Sequence, residues 1–188
     1  MIGNDLVDLE QAALDSNWQR KGYLDKICTR KEQQLVLNAK DPARMLWLIW
    51  SIKEAAYKIE NRLTNKRFYA PKEFSCEYLS FDDKQASAEV NYKGKTYFTR
   101  SAIELNKLHS TAFLNPADYQ TIHIWHSAYS DKYIQEFNSV SSEYLLSKDK
   151  EGLPFVYSVK TDQRYAASVS HHGKFLAVIY SDSLLLTD

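Results

Sequence analysis

The chain reads as an α+β protein built from two pseudo-symmetric lobes of antiparallel strands packed with helices. Three observations lead to that reading. Residues 10–63 carry helical signals after one short N-terminal strand. From residue 71 the apolar residues alternate, as they do in strands with one covered face. Beyond residue 115 a strand, a helix and further strands follow again in the same order. The symmetry is one of element order, with no residue-level repeat.

Composition sets the frame for these elements. The 188 residues suffice for one domain or two small halves sharing a core. With 44% hydrophobic and 26% charged residues, the composition is that of a globular chain. The formal net charge is zero, which demands neither a nucleic-acid nor a membrane partner. The longest apolar run, "MLWLIW" at residues 45–50, is far short of a membrane span. "MIGNDLVDLE" has neither the basic nor the apolar region of a signal peptide, so the cytoplasm is the expected compartment. Cys28 and Cys76 are too few for a disulfide framework or a zinc site, and are expected as reduced thiols.

Taken in order, "MIGNDLVDLE" is a short strand with apolar residues on both sides of the pleat. Asp5 shares a face with Val7 there, and a carboxylate in such a strand must be paired, hydrogen-bonded or metal-bound. Asp8, at the strand's end, is either exposed or caps the next element. Residues 10–40 are helical with a break near Gly22, and "TRKE" resembles a capping box of Thr29 and Glu32. Asp41 and Pro42 then open a long helix as N-cap and first turn. Leu48, Ile52, Ala55, Ala56 and Ile59 form its core stripe. Trp50, Glu54 and Lys58 recur at four-residue spacing on another face, within an arc of roughly 80°. By itself that spacing fits a surface Glu54–Lys58 pair worth about 0.3–0.5 kcal/mol.

"KEFSCEYLSF", "QASAEVNY", "KTYFTRSAIEL" and "HSTAFL" are the expected strands of the first lobe, with Lys93-Gly94 as a hairpin turn. "NPAD" at residues 115–118 is the candidate boundary between lobes 1–114 and 115–188, which are expected to form one compact unit. After it, "YQTIHIWHSAY" reads as a strand, "SDKYIQEFNSVSSEYLLSK" as one helix, and "YAASVSHHGKFLAVIYS" as two strands joined at His172-Gly173. His123 and His126 lie on opposite faces of their strand, which argues against a shared metal. His109 has no assigned role. The five glycines form neither a P-loop nor a dinucleotide fingerprint.

Three segments together resemble one family, the 4′-phosphopantetheinyl transferases of the holo-acyl-carrier-protein synthase type. "GNDLVDL" is similar to its Gly-x-Asp strand, "WSIKEAAYK" to its Trp-x-x-Lys-Glu-x-x-x-Lys helix, and "SVSHHG" to its Ser-x-Ser-His turn. "NKRFYAPKEFSCEYLSF" and "EGLPFVY" resemble the stretches between them. The resemblance implies transfer of the phosphopantetheine arm of coenzyme A to a serine of an acyl or peptidyl carrier protein, with magnesium.

Residue by residue, the resemblance implies Asp5 and Glu54 as metal ligands, with Glu54 and Lys58 catalytic. It places Ser170, His171 and Lys58 on coenzyme A, with Lys53 on phosphate or in solvent. Trp50 shapes the site. Val7 stands where two-lobed members often have an acid, and Asn4 replaces the common aliphatic residue before Asp5. The Ser-His segment lies near the C-terminus, as in short trimeric synthases, yet the chain is long enough for two lobes. A single-chain pseudo-dimer with "SVSHHGKFLAVIYS" beside "MIGNDLVDL" is therefore expected, with a homo-oligomer the other arrangement. Arg20, Lys21, Lys26, Arg30 and Lys31 are either a counterpart to an acidic carrier helix or a solvated face. Two other functions stay open: a weak relative that only binds coenzyme A or a carrier, favoured by Val7, and a magnesium phosphodiesterase.

Overall fold

β1 (Ile2–Asp8) is the strand on which the rest of the architecture converges. The computed structural model describes residues 1–68 and 70–186; Tyr69, within the stretch similar to the family, lies outside them, as do Thr187 and Asp188. After β1 come α1 (Leu9–Asp15), α2 (Tyr23–Ile27), α3 (Arg30–Asn38) and α4 (Pro42–Thr64). Four strands follow: β2 (Ser75–Phe81), β3 (Gln85–Tyr92), β4 (Lys95–Ile103) and β5 (Lys107–Phe113). A 3-10 turn at Pro116–Thr121 leads into β6 (Ile122–Ala128), α5 (Tyr133–Val140) and β7 (Tyr144–Lys148). The described chain ends with β8 (Pro154–Ser158), β9 (Gln163–His172) and β10 (Phe175–Leu185).

The helix starts follow from local chemistry. Asp8 is the cap of α1: its Oδ1 accepts from the amides of Glu10 at 3.1 Å and Gln11 at 3.3 Å. Thr29 and Glu32 form the capping box of α3 in both directions. The Asp41 carboxylate accepts from the Arg44 amide at 3.0 Å, and Asn65 ends α4 in the left-handed region. Leu48, Ile52, Ala55, Ala56 and Ile59 of α4 are all buried.

The first antiparallel sheet runs β1-β5-β4-β3-β2 and the second β6-β10-β9-β8-β7. In β3 buried and exposed residues alternate, because one face lies on α4 and the other meets solvent. Lys93 and Gly94 join β3 to β4 with positive φ at both residues, the requirement of a type I′ turn. The fold is thus α+β and two-lobed.

One expected element differs. Residues 130–148 are not a single helix: α5 stops at Val140, and Tyr144–Lys148 is a strand. Tertiary pairing decides this, since β7 bonds to β8. The Asn138 side chain also grips Leu146 like a neighbouring strand, accepting from its amide at 2.7 Å and donating to its carbonyl at 3.2 Å.

The two sheets meet through β1. Ile2, Phe113, Ala166 and Ile179 form the apolar cluster between them. One edge of β1 pairs with β5. On the other edge the amides of Asn4, Leu6 and Asp8 donate to Ser168 Oγ (3.1 Å), Ser170 Oγ (3.0 Å) and His172 Nδ1 (3.0 Å). Both sets recur every second residue, so a ladder of β9 side chains closes the edge of β1. Arg62 ties α4 to the second sheet by donating to the carbonyls of Pro154 and Ala167.

Gly3 is where β1 approaches α4 most closely. A Cβ there would lie 2.2 Å from the Ala55 carbonyl oxygen and 3.2 Å from Lys58 Cβ. Gly3→Ala is expected to cost about 3 kcal/mol, the upper end for overpacking, because the colliding atom is backbone. Urea unfolding checks this, and a stability equal to wild type would refute the close approach.

Candidate active site

The face of β1 toward α4 carries Gly3, Asp5 and Val7. Ser51 of α4 fixes the strand there by donating to the Asp5 carbonyl at 3.2 Å. Lys58, two turns further along α4, donates to the Asn4 carbonyl at 2.6 Å and lies 3.4 Å from Asp5 Oδ1. From β9, Ser170 Oγ donates to the same Oδ1 at 3.2 Å, and the Val169 carbonyl is 3.5 Å from Lys58 Nζ. Three elements therefore converge on one carboxylate. Lys58 turns to Asp5, so the simple surface pair with Glu54 is not what the helix builds.

Glu54 lies one turn before Lys58 on α4. Lys53, Tyr57, Phe68, Pro71 and Phe74 border the same tight crevice, of about 10 Å³. Burial, and after it the negative charge of Asp5, raises the Glu54 carboxyl to about 7, against a smaller opposing pull from Lys58. Two roomier concavities of about 620 Å³ each lie elsewhere, one by α1 and Trp47, the other between α3 and β2. Chemistry, and not volume, marks the Asp5–Glu54–Lys58 face.

The other expected site residues divide. Ser170 reaches Asp5, but His171 projects from the opposite face of β9, as alternation along a strand requires. There its ring stacks on Tyr129 at 4.6 Å. Burial, then Lys58 and His172, hold the His171 imidazole below its ordinary range. The Ser-His segment is also the end of a strand; the turn proper is Gly173 and Lys174. Trp50 is partly exposed and packs on the main core.

Lys53 leaves the site altogether. Its ammonium is buried 2.5 Å from Glu32 Oε2 and 2.8 Å from the Ile27 carbonyl oxygen, on the side of α4 toward α3. A cation so enclosed has no surface left for phosphate.

Several contributors carry no motif signal. Ser51 looks like any polar residue on a helix, and Tyr129 is remote from His171 in sequence. The period-two run Ser168, Ser170, His172 is legible only once β9 is set against β1. His109 is buried between the Asn4 amide and His126, at 3.1 Å from each, while His123 pairs with Asp182 at 2.8 Å.

A family model described as the 4′-phosphopantetheinyl transferase superfamily matches residues 1–169 of the 188. The chain belongs to that superfamily. A comparison with curated proteins gave no match. The superfamily's activity is phosphopantetheine transfer, with coenzyme A as donor and carrier proteins as acceptors. Its matched region takes in Asp5, Glu54 and Lys58 and ends at Val169, just before Ser170 and His171.

A divalent cation is implied by the superfamily, and the residues present fit one. Asp5 and Glu54 are two hard-oxygen donors, and magnesium is commonly held by one or two carboxylates plus substrate phosphates. Burial first, and then the negative charge of Asp5, raise the proton affinity of Glu54, so the two carboxylates act on one another. Val7 is 4% exposed, inside the core with α4, and cannot be a third ligand. Among the described residues, no helix is long and apolar enough to cross a membrane.

Proposed function

We propose that this chain transfers the 4′-phosphopantetheine arm of coenzyme A to a serine of an apo acyl or peptidyl carrier protein, with magnesium. The observation that carries the reading is the convergence of Asp5, Glu54 and Lys58 within the region matched to the superfamily. In the reaction the serine oxygen attacks the β-phosphorus of coenzyme A. The bond to the bridging oxygen breaks, and adenosine 3′,5′-bisphosphate leaves.

Asp5 and Glu54 would hold the cation. When bound, it supplies stabilisation of the negative charge on the pyrophosphate oxygens. Glu54 is also the proposed acceptor of the serine proton; its raised proton affinity, about 7, belongs to the metal-free site. Lys58 keeps its short bond to the Asn4 carbonyl, and its two long contacts, at 3.4 and 3.5 Å, are those a phosphate oxygen would replace. His171, neutral and exposed, offers a ring N–H to an outer phosphate of coenzyme A. We place residues 1–114 and 115–188 as the two lobes of one chain acting as a pseudo-dimer.

The test is the intact mass of an apo carrier protein after incubation with this chain, coenzyme A and magnesium, with and without EDTA. A metal-dependent gain of one phosphopantetheine arm is expected. Coenzyme A binding without any gain across fatty-acid, polyketide and peptidyl carriers would instead support a binding module, the reading favoured by Val7 at the often acidic position.

A further inference from the structure

Ser170 sits where a backbone contact and a candidate metal ligand meet. Its oxygen accepts from the Leu6 amide at 3.0 Å and its hydroxyl donates to Asp5 Oδ1 at 3.2 Å. The residue is 5% exposed. A hydroxyl so enclosed, with donor and acceptor both engaged, has little left for a substrate phosphate. Its geometry suits another task.

We propose that Ser170 is a positioning residue for Asp5, setting the carboxylate in the orientation that receives the divalent cation; this rests on the metal-dependent transfer proposed above. An aspartate side chain has two torsions to fix. Ser170 and Lys58 both address Oδ1, while Oδ2 accepts no hydrogen bond among the described residues. The carboxylate is thus gripped by one oxygen and presents the other. The grip is itself anchored, because the Leu6 amide pins the Ser170 oxygen to the strand that carries Asp5. Outer hydrogen bonds of this kind orient ligating carboxylates and typically matter about 10–100-fold in metal affinity.

The neighbouring rung supplies the control. Ser168 accepts from the Asn4 amide at 3.1 Å, as Ser170 does from Leu6, but among the described residues it makes no bond to a carboxylate. Ser168→Ala and Ser170→Ala each remove one acceptor from the edge of β1, and only the second removes a donor from Asp5.

The experiment titrates Mn²⁺ alone into the full chain, read by electron paramagnetic resonance, with thermal unfolding of each variant followed by circular dichroism. Ser170→Ala is expected to weaken Mn²⁺ binding about tenfold. Ser168→Ala should bind as wild type despite a similar loss of thermal stability, and Ser170→Thr, which keeps the hydroxyl, should restore affinity. Wild-type affinity in Ser170→Ala, or equal weakening in both alanine variants, would overturn the assignment. A wild-type chain that binds no Mn²⁺ would remove the metal-dependent reading itself, and the role of Ser170 with it.

Discussion

Glu54→Gln is expected to lower carrier modification by about a thousandfold, within the range for loss of a general base, and to abolish thermal stabilisation by magnesium. Glutamine keeps the size of the side chain while removing both the proton acceptor and a negative charge beside Asp5. The same variant should change how stability depends on pH. Without metal, the folded chain holds a proton on Glu54 up to about 7, while an unfolded glutamate releases it near 4.5. Between those values the native state binds more protons than the unfolded one, so stability falls as pH rises through the window. Glu54→Gln should lack this component. At pH 8 magnesium should raise the wild-type melting temperature, and at pH 5 it should do so much less because the proton competes. Melting curves at both values check this; full activity in the glutamine variant would end the proposed role of Glu54.

The second large effect lies away from the site. Glu32→Ala is expected to destabilise the chain by about 3–5 kcal/mol, the cost of leaving a buried charge without its partner. Lys53 and Glu32 have side-chain exposures of 2% and 0%. Glu32 also accepts from the amides of Thr29 at 2.6 Å and Cys76 at 2.8 Å, so its removal strands three donors at once. The double replacement Glu32→Met with Lys53→Met should cost less than either single change, because no charge is left buried. Urea unfolding of Glu32→Ala, the two single methionine variants and the double variant measures both statements. A loss below about 1 kcal/mol in Glu32→Ala would show that the pair is not dry.

These two pairs show what a sequence of this kind discloses. Asp41, Pro42 and the Leu48–Ile52–Ile59 stripe announce α4 because capping and helical period are local. Asp5, Glu54 and Lys58 stand out through the spacing of two similar motifs, and the structure brings them together. Lys53 follows Ile52 directly, and its angle on the helix says only that it points away from Glu54. That the direction leads to Glu32 depends on how α3 docks, and Glu32 itself advertises only a cap. Ser170 and His171 are adjacent in sequence, yet a strand sends neighbours to opposite faces, so they cannot share one small anion as a turn would allow. Tyr144–Lys148 is helical in composition and becomes a strand because β8 and Asn138 are there to receive it.

The ladder between β1 and β9 has a kinetic consequence. Its rungs join residues 164 positions apart, while β5, on the other side of β1, is itself distant in sequence. Contacts of such long range form slowly, because the chain must close a large loop before they reward it. During synthesis the strand bearing Asp5 therefore emerges well ahead of β5 and β9 and is enclosed only when they arrive. Until β9 arrives, the nascent first lobe shows an open strand edge of the kind that recruits other chains. Refolding should accordingly contain a late phase in which the Asn4, Leu6 and Asp8 amides gain protection from hydrogen exchange together, and metal binding should appear only with that phase.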